Sequence, residues 1–322
     1  MIQIDKLKIV TNEKFITDIN TEKFIAVTKN GQIVEYKYKQ LTPYLLCIEK
    51  DVLNQELVIE FTGKILEDKY PSLITKTTIS TCLDNINKLD LCNIDVPSIL
   101  DTSIVVKADV AQDVCCGNYE ELISSLKTSI RNYNKYLSRV INGTFVVEKN
   151  VVGKGRKLRM SVYNKGHEMR LKANQDFLIQ LPNYEEVTEY FKDKVRFELN
   201  LNSKEQIRKQ LNLNNTMLYD VLHADINPIV NFMDKVFEDE PAPQGLKLRD
   251  LERWALLEKV GMDMNKLEMI VRQHSSPKSH ISQLMQPYRN LLKTIEHTSI
   301  NYLHTIRNLL LLEIFLTFIV SI

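Results

Sequence analysis

One short segment, residues 159–168, combines side chains that could carry out chemistry on a phosphodiester. Tyr163 offers an oxygen nucleophile, Lys165 a cation that could stabilise added negative charge, and Glu168 follows three residues after the lysine. The same residue types also occur on ordinary solvated hairpins. The segment therefore predicts a chemical site only if other parts of the chain supply partners for Tyr163.

Such partners are predicted on the polar faces of three further strands. Successive side chains of a strand point to opposite sides of a sheet, so a carboxylate that interrupts an apolar strand lies opposite the apolar residues. The carboxylates are Glu60 in segment 57–61, Asp109 in segment 104–110 and Glu198 in segment 195–201. Oxygen ligands of this kind suit Mg²⁺ or Mn²⁺, whereas solvated decoration of an open sheet face is the alternative interpretation.

Two cations complete the predicted site. Arg196 shares a polar face with Glu198, and either Arg196 or Lys165 could stabilise the charge that develops on a phosphate attacked by Tyr163. A competing nucleophile is Tyr136, which falls in a helix predicted to begin at the N-cap Asn118. The sequence favours Tyr163 and leaves Tyr136 as the alternative.

A concentrated basic block surrounds Tyr163. Between residues 149 and 172 there are eight basic residues and one acidic residue, although the whole chain carries 42 basic and 41 acidic residues and a formal charge of only +1. Glycines in this block would let the backbone approach a phosphate closely. We therefore expect nucleic-acid contact from Lys154, Arg156, Lys157, Arg159 and Arg170.

The pattern of the first 240 residues predicts an α+β fold. Short period-two runs alternate with amphipathic helical stretches, which is typical of a mostly antiparallel sheet with helices packed on one face. The predicted strands are 6–10, 32–38, 57–61, 104–110, 144–150, 158–163 and 195–201, and the predicted helices are 73–89 and 118–137. A strand-strand-helix-strand order occurs twice, which would suit an internal duplication.

The remainder of the chain is predicted to be helical. A capping-box start at Ser203 opens a helical run to about Phe237, and the proline-rich segment 238–245 then separates a domain of residues 1–240 from a second of residues 246–322. Helices 246–260 and 264–273 around a short turn are compatible with a helix-turn-helix.

The sequence favours a protein that is neither secreted nor inserted in a membrane. The terminal run 309–322 is almost wholly apolar, but its 14 residues include Glu313, and a bilayer span needs about 20 apolar residues. A buried or partner-packed helix is favoured over a membrane anchor or an atypical chain end. Five cysteines without a CxxC pair, and a start lacking a long apolar run, predict a cytoplasmic protein with reduced thiols.

Four of these segments, taken in order, resemble the replication initiators of rolling-circle plasmids and filamentous phages, in the branch without a His-hydrophobe-His motif. The resemblance extends over about residues 1–240, and its pieces are segments 57–61, 106–113, 162–168 and 195–199. The sequence departs from the family pattern at Lys107, where the family commonly has arginine. Positive charge is kept there, but the bidentate geometry of arginine is lost.

The resemblance implies a protein that binds a replication origin, cuts one strand and keeps the 5′ phosphate on a tyrosine while the 3′ hydroxyl primes synthesis. Asp109 and Glu198 would help hold the metal, Tyr163 would be the nucleophile or a backbone-positioning residue, Lys165 would contact the scissile phosphate, and Glu168 would orient Lys165 or the metal. The expected partners are single- and double-stranded origin DNA, with a host helicase and a second copy of the chain as further candidates.

Two other functions stay open at this point. A non-catalytic origin-binding or regulatory protein would need only the basic block and the C-terminal helices, and it would show sharply salt-dependent binding without cleavage. A polymerase or primase palm also presents carboxylates on an α+β sheet, but the sequence contains no clear nucleotide-binding loop.

Overall fold

A computed structural model gives the fold of most of the chain. It describes residues 2–38, 42–130, 135–150, 157–237, 246–260, 263–276, 280–296 and 306–311. Segment 153–156, with the predicted DNA contacts Lys154 and Arg156, segment 238–245 and most of the terminal apolar run lie outside the described residues.

A ten-stranded antiparallel sheet forms the centre of the molecule, with strand order β3-β4-β5-β6-β1-β8-β12-β11-β10-β9. Its strands are β1 (Ile4–Asn12), β3 (Ile25–Lys29), β4 (Gln32–Tyr38), β5 (Leu45–Asp51), β6 (Glu56–Thr62), β8 (Ile104–Cys115), β9 (Tyr136–Ile141), β10 (Thr144–Lys149), β11 (Arg159–Asn164) and β12 (Lys194–Leu201). The short strands β2 (Ile16–Thr17) and β7 (Asn93–Ile94) pair separately.

Helices lie between and after the strands. They are α1 (Ile79–Asn87), α2 (Val96–Thr102), α3 (Tyr119–Thr128), α4 (Lys165–Met169), α5 (Lys172–Leu178), α6 (Tyr184–Phe191), α7 (Lys204–Leu211), α8 (Leu218–Leu222), α9 (Pro228–Val236), α10 (Leu248–Lys259), α11 (Met264–His274) and α12 (Ile281–Glu296), with 3-10 turns at Glu13–Phe15 and Gly63–Ser72. The predicted α+β class is confirmed.

The main core lies on one face of the sheet, as the alternation predicted. The inward residues of the central strands, such as Ile9, Phe61 and Phe197, are fully buried and share one apolar cluster with residues of α1–α3 and α7–α9. Since burial of a large apolar side chain contributes roughly 1.5–3 kcal/mol, this face fixes which way each strand is turned.

A second, smaller cluster covers part of the opposite face. Tyr70 from the turn 63–72 packs with Met169, Phe177 and Phe191 of α4–α6 over Ala111 of β8. The polar face is therefore not wholly open to solvent. Charged residues beneath α4–α6 are buried, and their pairing has to be satisfied within the protein.

The helix predicted for residues 118–137 is shorter than expected. Asn118 caps α3 as predicted, accepting a hydrogen bond of 3.2 Å from the backbone of Glu121, but α3 ends at Thr128. Tyr136 belongs to β9 and is not helical, which corrects the prediction. The reason is a hairpin: Asn142 and Gly143 adopt left-handed backbone conformations and join β9 to β10.

The C-terminal helices separate into two groups. Helices α10–α12 share a cluster of their own around Trp254, Leu257, Leu267 and Met285. The helical residues 306–311 instead contribute Ile306 and Leu310 to the main core, where the carbonyl of Leu310 accepts a hydrogen bond of 2.8 Å from Gln112. Among the described residues, no helix is long and apolar enough to cross a membrane.

Candidate active site

The sheet register brings the predicted site residues onto one face. Residues paired across antiparallel strands share a face, and three such rows cross β8, β12 and β11. They are Asp109–Asn200–Arg159, Ala111–Glu198–Ser161 and Asp113–Arg196–Tyr163. The structure therefore places Asp109, Glu198 and Tyr163 together on the face opposite the main core, although they are far apart in the sequence.

Tyr163 is in direct contact with Glu198. Its hydroxyl donates a hydrogen bond of 3.0 Å to Oε2 of Glu198, and the amide of Asn200 donates one of 3.0 Å to Oε1. Burial, together with the carboxylates of Asp5 and Asp109, raises the pKa of Glu198 to about 7. Burial and the charge of Glu198 also raise the pKa of Tyr163 well above its usual value. The carboxylate of Glu198 thus lies within hydrogen-bond distance of a phenol, and its pKa is raised towards neutral pH.

Asp109 presents an unsatisfied oxygen beside this pair. It is 6% exposed, and its Oδ1 has no hydrogen-bond partner among the residues that the structure describes. Burial raises the pKa of Asp109, against the opposing effects of Asn200 and Lys107. A buried carboxylate oxygen without a donor is costly unless a cation or an incoming donor completes it.

Arg196 is fully buried and donates hydrogen bonds to three other side chains. Its Nε and Nη2 donate two parallel bonds of 2.7 Å to Asp113, and its Nη1 donates bonds to Asp5, at 2.6 Å, and to the Tyr70 hydroxyl, at 3.1 Å. Most donors of the guanidinium are therefore already used inside the protein. The geometry supports a role for Arg196 in fixing the strands around Tyr163 in place of the expected contact with phosphate.

Lys165 lies next to Tyr163 in a cage of aromatic rings. Its Nζ is 5.2 Å, 5.6 Å and 5.8 Å from the ring centres of Tyr70, Phe191 and Tyr163, and it donates a bond of 2.7 Å to Oε2 of Glu168. Although burial acts in the opposite direction, the negative neighbours raise the pKa of Lys165, so the ammonium stays charged. Glu168 therefore holds the ammonium of Lys165 through this ion pair, and a role for either residue in chemistry stays a prediction.

Helix α4, which begins at Lys165, can lie close to the end of α6 because its second residue is Gly166. A Cβ atom on Gly166 would lie 2.5 Å from the carbonyl oxygen of Lys192 and 2.7 Å from that of Phe191, both at the end of α6. Asn164 caps this helix by accepting a hydrogen bond of 2.8 Å from the backbone of His167. Close contact with α6 thus holds the lysine under Tyr163.

Glu60 does not join the other carboxylates. It lies on β6, separated from β8 by β1, and forms ion pairs with Lys6, Lys8 and Lys107 at 3.5 Å, 3.3 Å and 3.8 Å. Across the described part of the chain, no three His, Cys, Asp or Glu side chains are grouped as a metal site. Glu60 is therefore removed from the expected ligand set by its lysine partners, whereas metal binding by Asp109 and Glu198 stays a prediction.

The described residues of the basic block do not form one surface. Lys157 pairs with the buried Glu148 at 3.3 Å, Lys165 is buried, and Arg170 is exposed beyond α4. Arg159 lies in the same cross-strand row as Asp109, and its Nε has no hydrogen-bond partner among the described residues. Of the described members of the block, Arg159 is thus aligned with the site, and contact with DNA by Lys157, Arg159 and Arg170 stays a prediction.

The alternative nucleophile Tyr136 lies on the wrong side of the sheet. It pairs with Lys149 and shares its face with Phe145 and Val147 of the main core, where its ring packs edge-on against Phe232 with the centres 5.9 Å apart. The carboxylates Asp109 and Glu198 face the other way. The sheet therefore lies between Tyr136 and these two carboxylates.

Sequence reasoning missed Asp5 and Tyr70 as members of the site and gave Asp113 no role. Asp113 interrupts an apolar strand and could have been noticed by the same alternation that identified Asp109. Asp5 reaches Arg196 because a register shift between Ile4 and Lys6 inserts an extra residue into β1. A bulge of this kind leaves no clear local signal in the sequence.

One face of the antiparallel sheet presents a tyrosine, carboxylates and cationic side chains that ion pairs keep in place. Residues of these types are suited to chemistry on a phosphodiester. Residues 74–220 match the family model for the N-terminal part of a phage replication-associated protein, a segment that includes Asp109, Tyr163, Lys165 and Glu198. This match confirms the resemblance to phage and plasmid replication initiators. No curated protein and no solved structure matches the chain.

Proposed function

We propose that the protein initiates replication by nicking one strand of origin DNA through Tyr163. The observation that carries this proposal is the hydrogen bond of 3.0 Å from the Tyr163 hydroxyl to Glu198, on the same sheet face as Asp109. A nucleophile hydrogen-bonded to a base is the arrangement that covalent catalysis requires.

The reaction is a transesterification that conserves the phosphodiester bond energy. The Tyr163 Oη attacks phosphorus and forms a tyrosine–phosphate ester, while the bond from phosphorus to the 3′ oxygen breaks. The phenolic proton passes to Oε2 of Glu198, and the leaving 3′ oxygen receives one proton to become a hydroxyl. Glu198 has the right position for the first transfer, because its Oε2 already accepts the hydrogen bond from the Tyr163 hydroxyl.

Asp109 and Glu198 would hold a divalent ion, Mg²⁺ or Mn²⁺. The fit rests on two oxygen donors on adjacent strands and on the Oδ1 of Asp109, which is buried without a described hydrogen-bond donor. Mg²⁺ is usually held by one or two carboxylates together with phosphate oxygens and water. When bound, the ion would polarise the phosphate and favour attack.

Lys165 and Arg196 would support the chemistry in different ways. The ammonium of Lys165 lies beside the Tyr163 ring and would stabilise negative charge as the phenol loses its proton. Arg196 would hold β12 and β8 in register through its two bonds to Asp113, so that Glu198 stays opposite Tyr163. Glu168 would keep Lys165 in place.

The test is formation of a covalent adduct with supercoiled DNA that carries the origin of the protein's own replicon, in the presence of Mn²⁺. The wild-type protein should yield nicked circles with protein attached to the 5′ end, and a chelator should prevent this. Tyr163→Phe should abolish the adduct. Tyr136→Phe is the matched control, because it also removes one hydroxyl but from the opposite face, and it should retain activity. An undiminished adduct with Tyr163→Phe would refute the assignment.

A second candidate, a non-catalytic origin-binding protein, is favoured by one observation. The raised pKa of Tyr163 makes its hydroxyl a weak nucleophile unless Glu198 removes the proton. This candidate predicts origin binding that falls steeply with salt and leaves the DNA intact. Metal-dependent nicking in the assay above excludes it.

A further inference from the structure

Three lysines converge on one carboxylate beside the candidate active site. Lys6 and Lys8 of β1 and Lys107 of β8 all place Nζ within 3.3–3.8 Å of the Glu60 carboxylate oxygens. Their side chains are 26–32% exposed, against 15% for that of Glu60. The ammonium groups thus remain accessible from solvent around a largely covered acid. We call these four residues the lysine cluster.

The lysine cluster carries more positive than negative charge. Three cations share one carboxylate, and even with a charged Asp109 next to them the balance is three to two. Lysines held at such distances repel one another, and exposed ion pairs contribute only about 0–1 kcal/mol each. A local surplus of positive charge of this kind favours the binding of an additional anion.

The lysine cluster lies on the same face as Tyr163. Lys6 pairs with Asp109 across β1 and β8, Lys8 pairs with Lys107, and Lys107 precedes Asp109 by two residues on β8. The row of Glu198 crosses β8 at Ala111, four residues from Lys107, which corresponds to ~13 Å along the strand. An extended chain of phosphates bound at Tyr163 can therefore reach the three lysines along the same face of the sheet.

We propose that Lys6, Lys8 and Lys107 bind backbone phosphates of the single DNA strand that enters the site, at positions beside the phosphate attacked by Tyr163. This inference rests on the proposed function and extends it by assigning the path of the DNA strand. Glu60 spaces the three ammonium groups and lowers their affinity for phosphate. Lysine contacts phosphate as a point charge, so these contacts are independent of base sequence.

The test uses the full chain with Tyr163→Phe, which binds without cutting, and a labelled oligothymidylate measured over a range of salt concentrations. Each phosphate contact on a single strand adds about 0.7 to the slope of log affinity against log salt. Lys107→Gln should lower that slope by about 0.7, and the triple change of Lys6, Lys8 and Lys107 to Gln by up to about 2. Glu60→Gln should have the opposite effect and tighten binding.

Lys50→Gln is the matched control. Lys50 is also a partly covered strand lysine in an ion pair, with Glu13 at 2.9 Å, but it pairs across the sheet with the buried Leu57 and so lies on the opposite face. Its removal should leave the slope unchanged. The unfolding midpoint of every variant shows whether the fold is intact.

Nicking by the same lysine variants with Tyr163 restored separates the two proposals. More DNA should be needed for half-maximal nicking, whereas the rate at saturating DNA should change little. A protein that nicks DNA but shows unchanged salt slopes in the lysine variants would overturn this inference alone. A protein that neither nicks nor binds DNA would overturn the proposed function and this inference with it.

Discussion

The hydroxyl of Tyr163 on β11 donates a hydrogen bond of 3.0 Å to Oε2 of Glu198 on the neighbouring strand β12. The two residues are one cross-strand row apart, so the bond is diagonal and depends on the exact register of these strands. Because burial and the nearby carboxylates of Asp5 and Asp109 raise the pKa of Glu198, the phenol faces a proton acceptor tuned close to neutral pH. Titration of Glu198 should therefore change the stability of the fold, and in the proposed reaction the same carboxylate receives the phenolic proton.

Glu198 should make the metal-free protein less stable as pH rises. Its pKa is raised from 4.5 in the unfolded chain to about 7 in the folded protein, so the folded state holds the proton more tightly. Its contribution to stability is complete below the unfolded pKa, declines between the two values, and is lost above about 7. Glu198→Gln should flatten this decline, as measured by urea unfolding with a chelator at several pH values.

The surface residue Glu189 provides the control for that experiment. Its side chain is 73% exposed and paired with Lys192, so Glu189→Gln should leave the pH dependence as in the wild-type protein. An equally steep loss of stability between about pH 5 and pH 8 in Glu198→Gln would show that another group causes it.

Asp113→Asn should strongly destabilise the fold. Breaking a buried ion pair by removing one partner typically costs about 3–5 kcal/mol. Here the guanidinium of Arg196 is fully buried and would lose both of its bonds to the Asp113 carboxylate, keeping the single bond to Asp5, so the cost should lie towards the lower end of that range. The free energy of unfolding in urea measures this cost. Lys192→Gln, which breaks an exposed pair, should cost less than about 1 kcal/mol.

Gly166→Ala should destabilise the turn beneath Tyr163. The added Cβ would meet two backbone carbonyl oxygens of α6 at 2.5 Å and 2.7 Å, and backbone cannot move aside as a flexible side chain can. Overpacking of this kind costs about 1–3 kcal/mol. Gly117→Ala, with no atom within 4 Å of the new Cβ, should change stability by less than about 0.5 kcal/mol. Equal unfolding free energies for the two variants would contradict the close contact between Gly166 of α4 and the end of α6.

The sequence by itself determined which face each central strand presents. A period of two places Asp109, Glu198 and Tyr163 opposite the apolar residues of their strands, and burial of the apolar face enforces that orientation. The caps at Asn118 and Ser203 were also readable, because an N-cap is a contact within one turn of the chain. Local contacts and strict alternation need no knowledge of the rest of the fold.

The tertiary structure alone decided how these faces are completed. Arg196 meets Asp5 across 191 positions of sequence, Glu60 is bound by lysines from two other strands, and Tyr136 pairs into a hairpin on the opposite face. Each outcome depends on strand order, on a bulge in β1 or on the covering helices α4–α6. Pairing between distant segments is set by the packing of the whole sheet, and a local sequence pattern does not predict it.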